Sequence, residues 1–264
     1  MHEIADIACN FTSDRFDNDL DEVIDRAIAN HITKFGLICS RLRDVDKLLE
    51  IYNRYSKNMF FTIGVHPHHA NEINAEYLEK LKEVINKNNP HAIGETGLDF
   101  FRNLSTYEEQ MYAFEEQIKI AIDTNKPLFL HQRDSHEDFI KILRKYSSDI
   151  SKAVVHCFTG TQSQLDDYLE LDCYIGVTGW ICDEKRNVEL RKTIKNIPLS
   201  KLMIETDCPY LIPKNLLDKP KNNRNEPSYL NHIVTEISIL LDIDEEDIRK
   251  ESFKNTLSFF QSVN

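Results

Sequence analysis

The chain has 264 residues, 41% of them apolar, and its 44 Asp and Glu against 32 Lys and Arg give a net charge of −12. A chain of this length and apolar content supports one large core that buries roughly three quarters of the unfolded surface. That excludes a disordered chain, a collagen-like repeat and a disulfide-stapled mini-fold, and the acidic balance argues against holding nucleic acid through bulk positive charge.

The first β-branched run predicts a strand over residues 3–9. Glu3 and Asp6 stand there instead of a basic stretch and a long apolar run, so the segment does not read as a signal peptide. A charged segment of helical period follows at 21–30, and the alternation then repeats. Strands are expected over 34–39, 60–65, 92–98, 127–130, 153–158, 173–177 and 202–206. Helices are expected between them, over 44–55, 76–86, 108–123, 138–146 and 165–171. A loop rich in Pro, Asn and Lys occupies 209–227, and two final helices are expected over 229–241 and 245–260.

Runs such as Phe129-Leu130 and Val154-Val155 are apolar without alternation, the mark of parallel strands covered on both faces. Eight strand-helix units in this length predict an α/β fold, a (β/α)8 TIM barrel with C-terminal helices, as a single domain over residues 1–264. An open dinucleotide-binding sheet would carry G-x-G-x-x-G after its first strand. The residues there are Ala8-Cys9-Asn10-Phe11-Thr12-Ser13, without glycine. The longest uncharged apolar-leaning stretch, 173–182, is far too short to cross a bilayer of about 30 Å, so no membrane partner is expected. Six cysteines without a C-x-x-C pair read as reduced thiols, which predicts a cytoplasmic protein.

In such a barrel the reactive groups stand at the C-terminal ends of the strands. The third strand ends in Gly64-Val65-His66-Pro67-His68, the fourth in Gly94-Glu95-Thr96-Gly97-Leu98-Asp99 and the fifth in His131-Gln132-Arg133-Asp134. The sixth ends in His156-Cys157-Phe158, and the eighth in Glu205-Thr206-Asp207-Cys208. Any one of these alone is more often a hydrogen-bonded structural residue or a helix cap than a ligand. Together, carboxylate, histidine, histidine and carboxylate converge on one rim from strands four, five, six and eight. A divalent cation is the natural partner for imidazole nitrogen mixed with carboxylate oxygen.

The stretches G-V-H-P-H, A-I-G-E-T-G-L-D-F, F-L-H-Q-R, H-C-F-T-G, Y-I-G-V-T-G-W-I-C-D, L-M-I-E-T-D-C-P-Y-L and R-N-E-P run in order over nearly the whole chain. On them it resembles the TatD family of metal-dependent deoxyribonucleases, within the amidohydrolase-like barrels. The resemblance implies Glu95, His131 and His156 as metal ligands and Asp207 as the carboxylate that binds the metal or orients the attacking water. It implies a phosphodiester hydrolase working 3′ to 5′ at DNA ends, on single strands and extending to RNA, in repair or degradation of damaged DNA. The wider family opens with an H-x-H ligand pair, and Ala8 and Asn10 stand in its place here. One or two ions are therefore expected, Mg2+ first and Mn2+ or Zn2+ as alternatives, with Asn10 offering at most a weak oxygen.

Arg133 lies two residues after His131. If the strand continues, both side chains face one way and the guanidinium fork suits a phosphate, the alternative being a salt bridge to Asp134 or Glu95. His66 and His68 also share a direction, and His66 is expected to contact substrate. Two other readings stand beside the nuclease. A small-molecule amidohydrolase on the same barrel is disfavoured because strand four carries Glu95 and no lysine. A non-catalytic metal-binding interaction protein would follow if loss of the H-x-H pair had disarmed the site. The acidic total is also unevenly spread: 14–25 holds a net −5 and 242–251 a net −4, whereas Lys214, Lys219, Lys221 and Arg224 against Asp218 give 214–224 a net +3. A small footprint on a strand end, held by bound metal and a few cations, is compatible with that distribution, and a monomer is expected.

Overall fold

A computed structural model describes residues 2–220 and 222–261; Lys221 of the basic stretch, and the ends of the expected domain, lie outside the described residues. Eight strands pair in chain order, each parallel to the next: β1 (Ile4–Cys9), β2 (Ile32–Leu37), β3 (Met59–Ile63), β4 (Ala92–Asp99), β5 (Leu128–Arg133), β6 (Ala153–Val155), β7 (Tyr174–Val177) and β8 (Leu202–Ile204). The sheet curls into a nearly closed barrel. Cys9 forms a parallel bridge with Cys208, the Asn10 amide donates to the Cys208 carbonyl at 2.9 Å, and buried Asp6 accepts from the Thr206 amide at 2.9 Å.

The intervening helices are α1 (Leu20–Ala29), α2 (Val45–Arg54), α3 (Ala75–Asn88), α4 (Tyr107–Asp123), α5 (His136–Tyr146), α6 (Gln162–Glu170) and α7 (Val188–Thr193), followed by α8 (Leu230–Leu241) and α9 (Glu245–Phe260). Capping boxes start α4 at Thr106 with Glu109 and α6 at Thr161 with Gln164, which fixes where the chain leaves the barrel rim. Helix α7 has only 6 residues and buries Leu190 and Thr193, too little to show a helical period in the sequence.

Alternation along the strands divides the core in two. Leu128 and Leu130 of β5 pack outward against the helices, while Phe129 joins Ile7, Val154 and Met203 inside the barrel. At the barrel's N-terminal end that inner cluster is closed by Phe259 and Phe260 of α9, and Phe260 stacks on Phe60 with ring centres 4.8 Å apart. All six cysteines are free thiols. Among the described residues, no helix is long and apolar enough to cross a membrane.

Candidate active site

The strand ends open into a cleft of about 1480 Å³ lined by Asn10, His66, Glu95, His131, Arg133, His156 and Asp207, among others. Strand β5 continues through Arg133, so His131 and Arg133 share the face of Phe129, as alternation requires. Strand β6 stops at Val155 and β8 at Ile204, shorter than the sequence runs imply. The backbone turns left-handed just beyond each, at Cys157 (φ 50) and Asp207 (φ 55). Such turns at non-glycine residues cost on the order of 1 kcal/mol and re-aim the strand-end side chains. Gly97, at φ 147, sits against β5 so closely that a Cβ there would come 1.9 Å from the His131 carbonyl oxygen. Only glycine lets β4 approach His131 this way.

One oxygen gathers the site. Glu95 Oε1 lies 2.7 Å from His156 Nε2, 3.0 Å from His131 Nδ1 and 3.3 Å from His66 Nε2. Ligand atoms around one divalent ion stand roughly 3 to 3.5 Å apart, so this mixture of carboxylate and imidazole fits a divalent cation. Burial alone would raise the Glu95 carboxyl, but the surrounding imidazoles of His66, His156 and His131 hold it well below the usual carboxylate range. Burial likewise disfavours charge on His131 and His156, yet their carboxylate neighbours raise both above the ordinary imidazole value.

A carboxylate stands behind each of these two rings. Asp99 Oδ2 lies 3.4 Å from His131 Nε2, and Glu205 Oε2 lies 3.5 Å from His156 Nδ1. Each therefore holds its ring by the far nitrogen, so that the near nitrogen, which donates to Glu95 here, has its lone pair free for a cation once the ring is neutral. Asp99 is itself fixed by His68 Nε2 at 2.7 Å and the Arg102 amide at 2.8 Å; Glu205 is fixed by the Cys157 amide at 2.5 Å. Neither carboxylate was assigned a role from sequence. The signal was spacing: Asp99 stands four residues past Glu95, and Glu205 two before Asp207.

His66 is arranged the other way. The His68 amide donates to His66 Nδ1 at 3.1 Å, so in the neutral ring the proton sits on Nε2 and points into the cluster. Burial lowers this imidazole to about 4, which keeps it neutral. It is a hydrogen-bond donor facing the cleft. Asp207 Oδ1 accepts from Asn10 Nδ2 at 2.9 Å; burial first, then the charges of Glu95 and Glu205, push its carboxyl up to about 7 against the opposing pull of His156.

Arg133 makes no ion pair with Asp134, Glu95 or any other carboxylate among the described residues, and its Cζ lies 3.9 Å from the centre of the Phe101 ring. Arg224 is turned inward. It pairs with Asp19 at 2.7 Å and covers the Phe16 ring, so the R-N-E-P segment is a fixed strut against the loop before α1. Of the basic stretch, Lys214 and Lys219 are the exposed cations among the described residues. In the acidic stretch, Asp17 and Asp21 pair with Lys47 and Arg54.

A family model described as TatD related DNase matches residues 5–261. A protein of Erwinia amylovora named 3′-5′ ssDNA/RNA exonuclease TatD is 38% identical over 255 residues, 97% of this chain and 98% of its own. A Salmonella typhimurium protein of the same name is 38% identical over 258 residues, 98% of this chain and 99% of its own. The crystal structure of a TatD family hydrolase from Entamoeba histolytica superposes with a TM-score of 0.89 at 30% identity, covering 98% of both chains.

Proposed function

The chain belongs to the TatD-related DNases, and from that membership we propose that it is a 3′–5′ exonuclease hydrolysing phosphodiester bonds at the ends of single-stranded DNA or RNA. The observation that carries this reading is the gathering of three imidazoles on one oxygen of Glu95, inside a cleft that also holds Asp207 and an unpaired arginine. We assign Glu95, His131, His156 and Asp207 to one or two divalent cations, Mg2+ by preference because two of the four donors are hard carboxylates. When bound, such a cation acidifies a water, polarises a phosphoryl oxygen and neutralises phosphodiester charge.

The chain's own groups supply the remainder. Asp207, beside the Glu95 cluster and held by Asn10, is the group placed to accept the proton of the attacking water. His66 offers its Nε2 proton to a phosphoryl oxygen, and Arg133, free of carboxylates, presents its fork to a phosphate. Asp99 and Glu205 hold the His131 and His156 rings. We place the enzyme in the cytoplasm as a monomer that trims damaged 3′ ends in DNA repair; the free thiols support the reducing compartment.

The test is purified protein with 5′-labelled single-stranded DNA and Mg2+ or Mn2+, with an EDTA arm. Stepwise shortening from the 3′ end that EDTA stops is the expected result; no metal-dependent cleavage of DNA or RNA would sink the reading. A narrower prediction concerns Asp99. Asp99→Asn is expected to weaken cation affinity by about 10- to 100-fold, the usual effect of removing a carboxylate behind a ligand histidine. Calorimetric titration with Mn2+ checks it, and an unchanged affinity removes Asp99 from that role.

A further inference from the structure

Large apolar side chains stand exposed at the mouth of the cleft. Phe101 is 58% exposed and Tyr210 54%, although both lie within three residues of an acid of the site, Asp99 and Asp207 respectively. Neither is loosely held. The Phe101 amide donates to Asp99 Oδ1 at 3.1 Å, the carboxylate behind His131, and the Tyr210 amide donates to the Asp207 carbonyl at 3.0 Å. Each ring therefore leaves the backbone at a corner pinned to the catalytic cluster. Phe101 follows β4 and Tyr210 follows β8. In a ring of eight strands paired in order, these positions lie on opposite sides of the mouth.

The chemistry of the mouth narrows what fits between them. Arg133 covers one face of Phe101, with its guanidinium carbon 3.9 Å from the ring centre, and has no carboxylate partner among the described residues. A flat occupant with π-faces, attached to an anion, satisfies the aromatic faces and the guanidinium together. A nucleobase and its phosphate have that form, and stacking of bases on aromatic rings tolerates any sequence.

We propose that Phe101 and Tyr210 are the stacking platforms for the unpaired bases that flank the scissile bond, with Arg133 holding Phe101 in place and meeting the adjacent phosphate. The proposal rests on the exonuclease reading and adds to it a source of selectivity. Bases in a duplex already occupy both of their faces and their pairing edges, so only an unpaired end can lie between the two rings.

The experiment compares two single-stranded oligonucleotides, one with ordinary bases and one abasic at its two 3′-terminal positions. Phe101→Ala and Tyr210→Ala are each expected to lower kcat/KM on the ordinary strand by about 10-fold, carried mainly by KM, and to leave turnover of the abasic strand at the wild-type level. Phe101→Tyr and Tyr210→Phe should restore the ordinary value. Equal losses on both strands, or no loss on either, overturn the proposal. Wild-type protein that cleaves neither strand would instead remove the exonuclease reading. The stacking is then read from 2-aminopurine placed at the 3′ end, whose fluorescence should be quenched on binding to the wild type and not to Phe101→Ala. Absent quenching, or equal quenching in both proteins, overturns the proposal without reference to turnover.

Discussion

Glu95→Gln is expected to lower kcat/KM on single-stranded DNA by at least about 1000-fold, a loss of about 4 kcal/mol of transition-state stabilisation. The size follows from the position of a single atom. Glu95 Oε1 is the point on which His66, His131 and His156 converge, and its carboxyl is held well below the usual range by those imidazoles. Glutamine keeps the shape and removes the negative charge, so the cation loses its central ligand while the barrel loses no volume. Removing one partner of a buried ion pair can itself destabilise the fold, because the charges left behind are uncompensated. The thermal midpoint therefore separates a failed site from a failed fold. Steady-state kinetics over a Mn2+ titration is the measurement; activity within about tenfold of wild type at saturating metal would take Glu95 out of the centre.

Asp207→Asn is expected to cost at least about 100-fold in kcat with KM little changed, the usual contribution of a positioned base. Asparagine still accepts the hydrogen bond from Asn10 that holds this side chain, so the geometry survives while the proton acceptor and the negative charge offered to the cation are lost. The pH dependence gives an independent reading. A base works in its ionised form, and burial with neighbouring negative charge raises this carboxyl to about 7. The wild-type rate should therefore fall on acidification, with a bound cation moving that limb to lower pH, and the limb should vanish in the variant. A variant that keeps the limb, or turns over near the wild-type rate, returns Asp207 to a purely structural place.

The strand-helix alternation was legible because parallel strands buried on both faces leave unbroken apolar runs, and all eight runs became strands. Strand-end chemistry was legible for the same reason, since a barrel brings the ends of β4, β5, β6 and β8 to one rim. What the sequence hides is distance between strands. That Asp99 stands behind His131, and Glu205 behind His156, depends on how neighbouring strands are staggered and on the turns at Cys157 and Asp207. Arg224 was counted with a basic stretch, yet its partner is Asp19 on the far side of the chain. Phe101 is obscured by the default for its type, because a phenylalanine in a row reads as core until the fold shows it facing solvent.

The barrel's floor comes from its last helix. Phe259 and Phe260 seal an interior whose walls are set by strands ending at Ile204. On the ribosome, every wall is therefore made before the piece that closes it. Until α9 emerges the lower end of that interior lacks its cover, so a nascent chain halted after β8 would leave Phe60 without the Phe260 ring that stacks on it.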